Sequence, residues 1–137
     1  MAMRRFLFIL AVIASNGTAA AQDDLVAAGE KVFATNCQRC HAIGAPTKFM
    51  KPGPHLNGLF GRKPGGLPDY NRYSKELIAF GEDKVWDEAT LTPFLHDPQG
   101  VVVRTKMAFF GLQKDEEIKA VLAYLATFDP DGMASST

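Results

Sequence analysis

Apolar residues recur at intervals of three and four near each end of the chain, and each stretch predicts an amphipathic helix. The first helix is predicted to begin at a cap formed by Asp23 or Asp24. Its apolar face consists of Leu25, Ala28, Gly29, Val32 and Phe33. The second is predicted to begin near Lys114, with three acidic residues in a first turn whose dipole favours negative charge, and to end at Pro130. Its buried stripe consists of Ile118, Val121, Leu122, Leu125 and Phe128.

Two shorter helices are predicted between these. One covers residues 74–80, with Ser74 as its cap and Gly81 as its stop. The other lies between Asp87 and His96 and is closed by Pro98. An interior proline removes a hydrogen bond, so Pro93 is expected only in its first turn, with Thr90 or Thr92 near the cap. Because no stretch alternates with a strand period, the pattern predicts an all-α domain.

The segment from Ala42 to Tyr73 has neither period. Its 32 residues contain 11 of the 20 Gly and Pro residues in the chain. A structureless stretch of this length is unusual inside a compact domain, unless the loop wraps around something else. Four short helices and one long loop supply little core, which favours a buried group that is not protein.

The first residues have the pattern of an export signal. Arg4 and Arg5 precede an apolar run over residues 6–14, and an Ala-Ala-Ala sequence ends at Ala21. The run is too short to span a bilayer, which needs about 20 apolar residues. We expect residues 1–21 to be a cleaved signal peptide, residues 22–137 to form one domain, and the protein to be exported to the bacterial periplasm.

Composition fits one globular domain. The 137 residues are 47% hydrophobic and carry 15 basic and 15 acidic side chains, which excludes a disordered polyelectrolyte and a uniformly basic nucleic-acid binder. Removing residues 1–21 takes away only Arg4 and Arg5 among the charges, so 15 − 2 = 13 basic and 15 acidic residues would remain, a net charge of −2.

The two cysteines of the chain lie in the sequence Cys37-Gln38-Arg39-Cys40-His41, the CxxCH pattern of c-type haem attachment. Two thiols three positions apart on a helical turn can add to the two vinyl groups of a porphyrin, and the next residue places an imidazole at the iron. A disulfide or thiol redox pair is the first alternative, but the βαβ pattern of the thioredoxin-like motif is missing. Zinc is the second, but it would need four ligands, and no second Cys/His pair exists.

With these residues in view, the chain resembles the class I cytochromes c, in particular the cytochrome c2 and mitochondrial cytochrome c group. The residues that carry the resemblance are 29–33 (Gly-Glu-Lys-Val-Phe), 37–41, 53–63 (Gly-Pro-His-Leu-Asn-Gly-Leu-Phe-Gly-Arg-Lys), Trp86, 105–107 (Thr-Lys-Met) and 123–125 (Ala-Tyr-Leu). It covers essentially all of residues 22–137. It implies an all-α fold of four to five helices whose long loops wrap around one haem c, bound covalently through Cys37 and Cys40.

The second axial ligand has five candidates in the sequence: Met50, Met107, Met133, His55 and His96. Met107 lies in a short non-periodic segment between the third and fourth helices. Both this position and the resemblance favour Met107 opposite His41, and Met/His ligation raises the reduction potential of a haem.

The resemblance also implies roles around the haem. The Pro54 carbonyl would accept the second N–H of His41, since a ligating imidazole donates its other N–H to an acceptor. Arg62, Trp86 and a tyrosine would surround the haem propionates. Tyr73 aligns better than Tyr70, and the choice stays open at this point. Gly29, Phe33 and Tyr124 would form the crossing of the terminal helices.

The chain departs from the family in one segment that matters for the ligand. The family commonly has Pro-Gly before Thr-Lys-Met, whereas this chain has Val103-Arg104. We expect a less rigid methionine loop and a weaker iron–sulfur bond.

The function implied is one-electron transfer by an exported, soluble and monomeric carrier that is not an enzyme. Its partners would be redox proteins such as a bc1-type complex, a terminal oxidase, a photosynthetic reaction centre or a peroxidase, with peripheral docking to membrane complexes and no nucleic acid. Lys51, Arg104, Lys106 and Lys114 are predicted to form a basic ring over the haem edge that steers acidic partner surfaces. The alternative is a haem c enzyme or sensor with an open or labile sixth position, peroxidase-like or gas-binding.

Overall fold

The computed structural model describes residues 17–45 and 51–134, so most of the predicted signal peptide and Met50 lie outside the described residues. The helices are α1 (Gly17–Asn36), α2 (Lys75–Phe80), α3 (Glu88–His96), α4 (Pro98–Val101) and α5 (Asp115–Leu125). The only strand-like feature in these ranges is an isolated bridge between Phe128 and Ala134. The all-α prediction is therefore confirmed. Within the same ranges, no helix is both long and apolar enough to cross a membrane.

The two long helices, α1 and α5, cross at Gly29. A Cβ atom at this position would overlap the Ala120 carbonyl and would lie 2.8 Å from the Cβ of Tyr124. The rings of Phe33 and Tyr124 pack beside the crossing, with centroids 5.6 Å apart. Only glycine therefore permits this approach, which brings the end of α1 against the core.

The predicted start of α1 is wrong. The helix begins at Gly17, so Asp23 and Asp24 are exposed interior residues and not caps. The three alanines at 19–21 have the highest helix propensity of any residue, and they extend the helix toward the N-terminus. A cap at Asp23 or Asp24 would require a chain that begins at Gln22, after removal of residues 1–21, and that removal stays a prediction.

The prediction for α2 is confirmed. The backbone N–H of Leu77 donates to the Ser74 side chain at 3.1 Å, and Gly81 is the residue after the helix. A side-chain oxygen at the N-cap satisfies a backbone donor that the first turn of a helix leaves without a partner.

The position of Pro93 in α3 differs from the prediction, since it lies in the second turn and not in the first. Its ring removes one backbone hydrogen bond. A capping box compensates: Thr90 N–H donates to the Asp87 carboxylate at 2.8 Å, and Asp87 N–H donates to the Thr90 hydroxyl at 2.9 Å. The helix also buries Leu91, Phe94 and Leu95 in the core.

The short helix α4 was not predicted. Pro98 both closes α3 and occupies the first position of α4, where a proline lacks no needed donor. The Asp97 side chain accepts the Gly100 N–H at 2.9 Å. This turn places Gln99 beside the segment that follows it.

Helix α5 ends at Leu125 and not at Pro130, and Phe128 follows it half-buried. The other predicted positions of its stripe are buried. One cluster gathers the buried apolar side chains of α1, α3 and α5 with those of the loops: Phe33, Leu59, Trp86, Leu91, Phe94, Leu95, Val102, Leu112, Ile118, Val121, Leu122 and Leu125.

The described part of the long segment, residues 42–45 and 51–73, has no helix and no strand, as predicted. Buried Asn57 organises it, because its side chain accepts the Gly44 N–H at 2.8 Å and donates to the Gly44 carbonyl at 3.2 Å. These two bonds hold the chain just after His41 against the chain just after Pro54.

Candidate functional site

The CxxCH residues continue α1 by one turn. Cys37 N–H donates to the Phe33 carbonyl at 2.8 Å, and the Cys37 carbonyl accepts the N–H groups of Cys40 at 3.0 Å and His41 at 2.9 Å. The two cysteines form no disulfide with each other, and Cys37 is half-buried against the core cluster whereas Cys40 is exposed. The two thiols and the imidazole are therefore carried by one hydrogen-bonded turn.

A hydrogen bond fixes the imidazole of His41. Its Nδ1 lies 2.7 Å from the Pro54 carbonyl, which can only accept, so Nδ1 carries the proton and Nε2 keeps its lone pair. Burial lowers the pKa of His41, the bond to Pro54 opposes this shift, and nearby Arg62 and Lys51 lower it further. The ring is therefore held neutral, which is the form that binds a metal.

Gly53 lies against the same ring. A Cβ atom on this glycine would overlap His41 Cε1 and would be 2.7 Å from Nδ1 and 3.0 Å from the Cys40 carbonyl. The Gly53 N–H donates to that carbonyl at 2.8 Å. The loop can approach the ring this closely only because position 53 has no side chain.

The Cys37 thiol does not have the electrostatics of an attacking thiol. Burial, and then the neighbouring Cys40, raises the pKa of Cys37 to about 11. The attacking thiol of a disulfide oxidoreductase instead has a lowered pKa. This feature disfavours the thiol-exchange alternative.

Among the methionine candidates, Met107 is half-buried and packs against the core cluster, as Cys37 does. Met133 is 61% exposed, and Met50 lies outside the described residues. His96 is exposed at the end of α3. Of the described candidates, only Met107 and His55 are partly buried.

Sequence reasoning missed one residue next to Met107. The side-chain amide of Gln99 donates to the Thr105 carbonyl at 3.0 Å and to the Met107 carbonyl at 3.3 Å. No sequence pattern marks this contact, since it depends on α4 turning the chain back on the residues that follow it.

Arg62 and Trp86 lie on two paired segments. Trp86 N–H donates to the Arg62 carbonyl and its own carbonyl accepts the Gly61 N–H, both at 2.8 Å. The indole is 7% exposed, with its ring centroid 4.9 Å from that of Phe94. Arg62 Nη2 donates to the His55 carbonyl at 3.0 Å.

The two tyrosines differ in their surroundings. Tyr70 donates its hydroxyl to the Pro52 carbonyl at 2.7 Å, and its ring packs edge-on against Tyr73 at 4.7 Å. Burial raises the pKa of Tyr73 and lowers the pKa of Arg62, and the charge of each acts on the other. Of the two tyrosines, Tyr73 is therefore the one that interacts electrostatically with the Arg62 guanidinium.

The residues present fit a haem. Arg62 Nη1 is buried and has no hydrogen-bond partner among the described residues, and neither has His55 Nδ1. An unpaired buried donor of a guanidinium is costly unless an acceptor reaches it, and a propionate carboxylate is such an acceptor. The thiol pair, the neutral imidazole and this unpaired cation together suit a covalently bound, anionic porphyrin.

Three of the four residues of the predicted basic ring have partners within the chain. Arg104 pairs with Glu76 at 2.9 Å and Lys114 with Glu117 at 3.4 Å, and Lys51 Nζ donates to the Gln38 carbonyl. Among the described residues, Lys106 is the one member of the four without such a partner. Exposed pairs of this kind are weak, so the charges stay available to a partner.

Comparison with known proteins gives a consistent picture. The family model described as cytochrome c matches residues 26–129. The chain is 50% identical over 111 residues to cytochrome c2 of Afifella marina, covering 80% of this chain and 87% of that protein. It is 44% identical over 106 residues to cytochrome c-550 of Bradyrhizobium diazoefficiens (77% and 74% covered). It is 37% identical over 130 residues to cytochrome c2 of Blastochloris viridis (95% and 98% covered).

Proposed function

The chain belongs to the cytochrome c family, and from that premise we propose that His41 and Met107 are the axial ligands of a haem c attached to Cys37 and Cys40. The protein is an electron carrier and not an enzyme. The observation that carries the assignment of His41 is the 2.7 Å contact between its Nδ1 and the Pro54 carbonyl, and Met107 is supported by its partial burial against the core cluster. The contact with Pro54 leaves Nε2 as the only ring nitrogen able to bind iron.

Bound haem c supplies a one-electron iron couple. The residues of the chain hold the group and control its surroundings. Pro54 orients the imidazole, and Arg62 offers a buried charged donor to a propionate. Trp86 and the core cluster exclude water. Tyr73 interacts electrostatically with Arg62 and so would lie on the propionate side of the haem. A fixed imidazole and a dry surrounding keep reorganisation small, which is what a carrier needs.

Absorption spectra of the oxidised and reduced holoprotein test the ligand pair. Wild type is expected to show covalent haem after acid-acetone extraction, low-spin iron in both states and the weak near-infrared band of an iron–sulfur bond. Met107→Ala is expected to lose that band, to bind CO rapidly when reduced and to have a lower reduction potential. Met133→Ala is the matched control, because Met133 is exposed, and should match wild type.

A Met107→Ala protein that keeps the near-infrared band would exclude Met107 as the ligand. Rapid CO or cyanide binding by wild type would instead favour the gas-binding or peroxidase-like alternative. The relatives do not favour that alternative, since they carry the names of cytochromes c2 and c-550.

We propose that the partners are redox proteins, of which a bc1-type complex, a terminal oxidase, a reaction centre or a peroxidase are the candidates. Of the four residues of the predicted basic ring, Lys106 is the one without an ion pair or side-chain hydrogen bond among the described residues, so its charge is free to meet an acidic partner surface. Stopped-flow electron transfer to an acidic partner should slow as ionic strength rises. A rate independent of ionic strength would contradict electrostatic steering.

We further propose that residues 1–21 direct export to the periplasm and are removed. N-terminal sequencing of protein purified from a periplasmic fraction should begin at Gln22. A protein that retains Arg4 and Arg5 in that fraction would contradict the cleavage.

A further inference from the structure

Gln99 bridges the two ends of the short segment that carries Met107. Its Nε2 donates to the carbonyl of Thr105 at 3.0 Å and to the carbonyl of Met107 at 3.3 Å. Gln99 belongs to α4, six to eight residues earlier in the chain. The contact is therefore made between two elements and not within the loop.

Chemistry fixes the orientation of this amide. Both partners are carbonyl oxygens, which only accept, so only the NH₂ side of the amide can face them. A side chain of the same shape without donors would place one acceptor oxygen against these two carbonyl oxygens. The site therefore needs an amide and not only a side chain of this size.

The other bonds of this segment are local, apart from the exposed ion pair between Arg104 and Glu76 at 2.9 Å. Met107 N–H lies 3.4 Å from the Thr105 hydroxyl, the Met107 carbonyl also accepts the Phe109 N–H at 2.9 Å, and Thr105 N–H donates to the Val102 carbonyl at 3.0 Å. The preceding residue, Arg104, has φ +62° and is the only residue other than glycine with positive φ in the described part of the chain. A left-handed backbone brings the Cβ of such a residue too close to the following carbonyl oxygen, so the chain before Met107 is strained.

We propose that Gln99 is a positioning residue that holds the Met107 segment in the conformation that ligates iron. This inference rests on the proposed role of Met107. The amide offsets the strain at Arg104 by fixing the backbone on both sides of Lys106. Without it, the population in which Met107 has left the iron rises on the order of tenfold, which is what two hydrogen bonds of ordinary strength give.

Gln99→Glu is the test, because it keeps the shape and removes both donors. Gln113→Glu is the matched control: Gln113 is exposed, close to the same loop, and makes no side-chain hydrogen bond among the described residues. On haem-loaded protein, three quantities are measured: the near-infrared band, the rate of CO binding to reduced protein, and the pH at which the band disappears.

For Gln99→Glu we expect a weakened band, CO binding on the order of ten times faster and loss of the band at lower alkaline pH. The control should match wild type. The defect should shrink when the introduced carboxyl is protonated near pH 4, because the acid form regains one donor. Unchanged band and CO rate in Gln99→Glu, or equal changes in both variants, would overturn the proposal.

A wild-type measurement separates the two proposals and does not depend on a variant folding. In haem-loaded wild type, NMR should show side-chain amide protons of Gln99 that exchange with solvent more slowly than those of Gln113. Slow exchange with no iron–sulfur band would contradict Met107 as the ligand but support the hydrogen bonds from Gln99 to the Met107 segment. A normal band with fast exchange at Gln99 would contradict those hydrogen bonds and leave Met107 as the ligand.

Discussion

Gly53→Ala adds one methyl group directly against the His41 imidazole. Gly53 does not have the positive φ that glycine alone adopts easily, so alanine introduces no backbone strain. By limiting the unfolded chain it would even stabilise the fold, by about 0.4–1 kcal/mol. Any destabilisation must therefore come from the contact itself.

The contact is severe. The new Cβ would overlap Cε1 of His41 and would lie 2.7 Å from Nδ1 and 3.0 Å from the Cys40 carbonyl, so the ring or the loop must move. Overpacking of this kind costs about 1–3 kcal/mol. The movement also breaks the 2.7 Å bond to Pro54, and an unsatisfied buried polar group costs about 1–3 kcal/mol more. After the entropic gain, we expect a loss of about 2–5 kcal/mol.

Guanidinium unfolding of the haem-loaded protein, followed by the fluorescence of Trp86, measures this loss. Trp86 is the only tryptophan in the chain, so the signal has one source. In thermal unfolding, the same loss is roughly 10 °C or more in Tm. The imidazole should also leave the iron at a higher pH on acid titration, since a less firmly held ligand loses to the proton sooner.

Gly61→Ala is the control, because Gly61 has φ +82° and no atom within 4 Å of the place that a Cβ would occupy. It should cost about 1–2 kcal/mol from backbone strain and leave the acid titration unchanged. A Gly53→Ala protein that unfolds with the free energy of wild type would contradict the contact with His41. An acid transition of Gly53→Ala that coincides with that of Gly61→Ala would contradict it as well.

Three further outcomes follow from single contacts. Gly29→Leu should lower the free energy of unfolding by about 3 kcal/mol or more, because the side chain would force α1 away from α5. Ala28→Leu, at an exposed position of the same helix, should change it little, and equal effects of the two substitutions would contradict the crossing. Arg104→Gly should be about 1 kcal/mol more stable than Arg104→Ala, since both lose the pair with Glu76 and only glycine relieves the positive φ; chemical denaturation showing no difference would refute this. The Thr90 hydroxyl lowers the pKa of Asp87, so Asp87→Ala should be less stable than wild type above the unfolded pKa near 4. This difference in the free energy of unfolding should disappear as the pH falls through the lower folded pKa, and a difference that stays constant from pH 7 to pH 2 would exclude the cap.

Sequence patterns predicted well where structure is decided locally. The Ser74 cap and the Gly81 stop of α2 each depend on neighbours three or four positions away, and so does the Asp87 cap of α3, near which only Thr90 or Thr92 was predicted. The CxxCH turn is equally local, since the backbone bonds donated by Cys37, Gln38, Cys40 and His41 span at most five residues. These features could be derived from the order of residues alone.

Prediction failed where distant segments decide the outcome. Pro93 could lie in the second turn of α3 because buried Leu91, Phe94 and Leu95 outweigh one lost hydrogen bond, and this burial depends on helices far along the chain. The contact between Gln99 and the Met107 segment has the same origin. The resemblance to a family supplied the partnership of His41 and Pro54, which are 13 residues apart, because no period links them.

The two sides of the proposed haem site are held by different means, and this difference predicts where the site fails first. On the His41 side, a glycine in contact with the ring and a 2.7 Å bond leave the imidazole no room to turn. On the Met107 side, the backbone before the proposed ligand is strained at Arg104. The segment is held there by the side-chain amide of Gln99, an exposed residue, so water can compete for its hydrogen bonds. Water weakens an exposed hydrogen bond more than a buried one, so heat or alkali should release Met107 while His41 stays bound. The Val103-Arg104 sequence, where the family commonly has Pro-Gly, therefore predicts that the proposed sixth ligand is the weak point of the site.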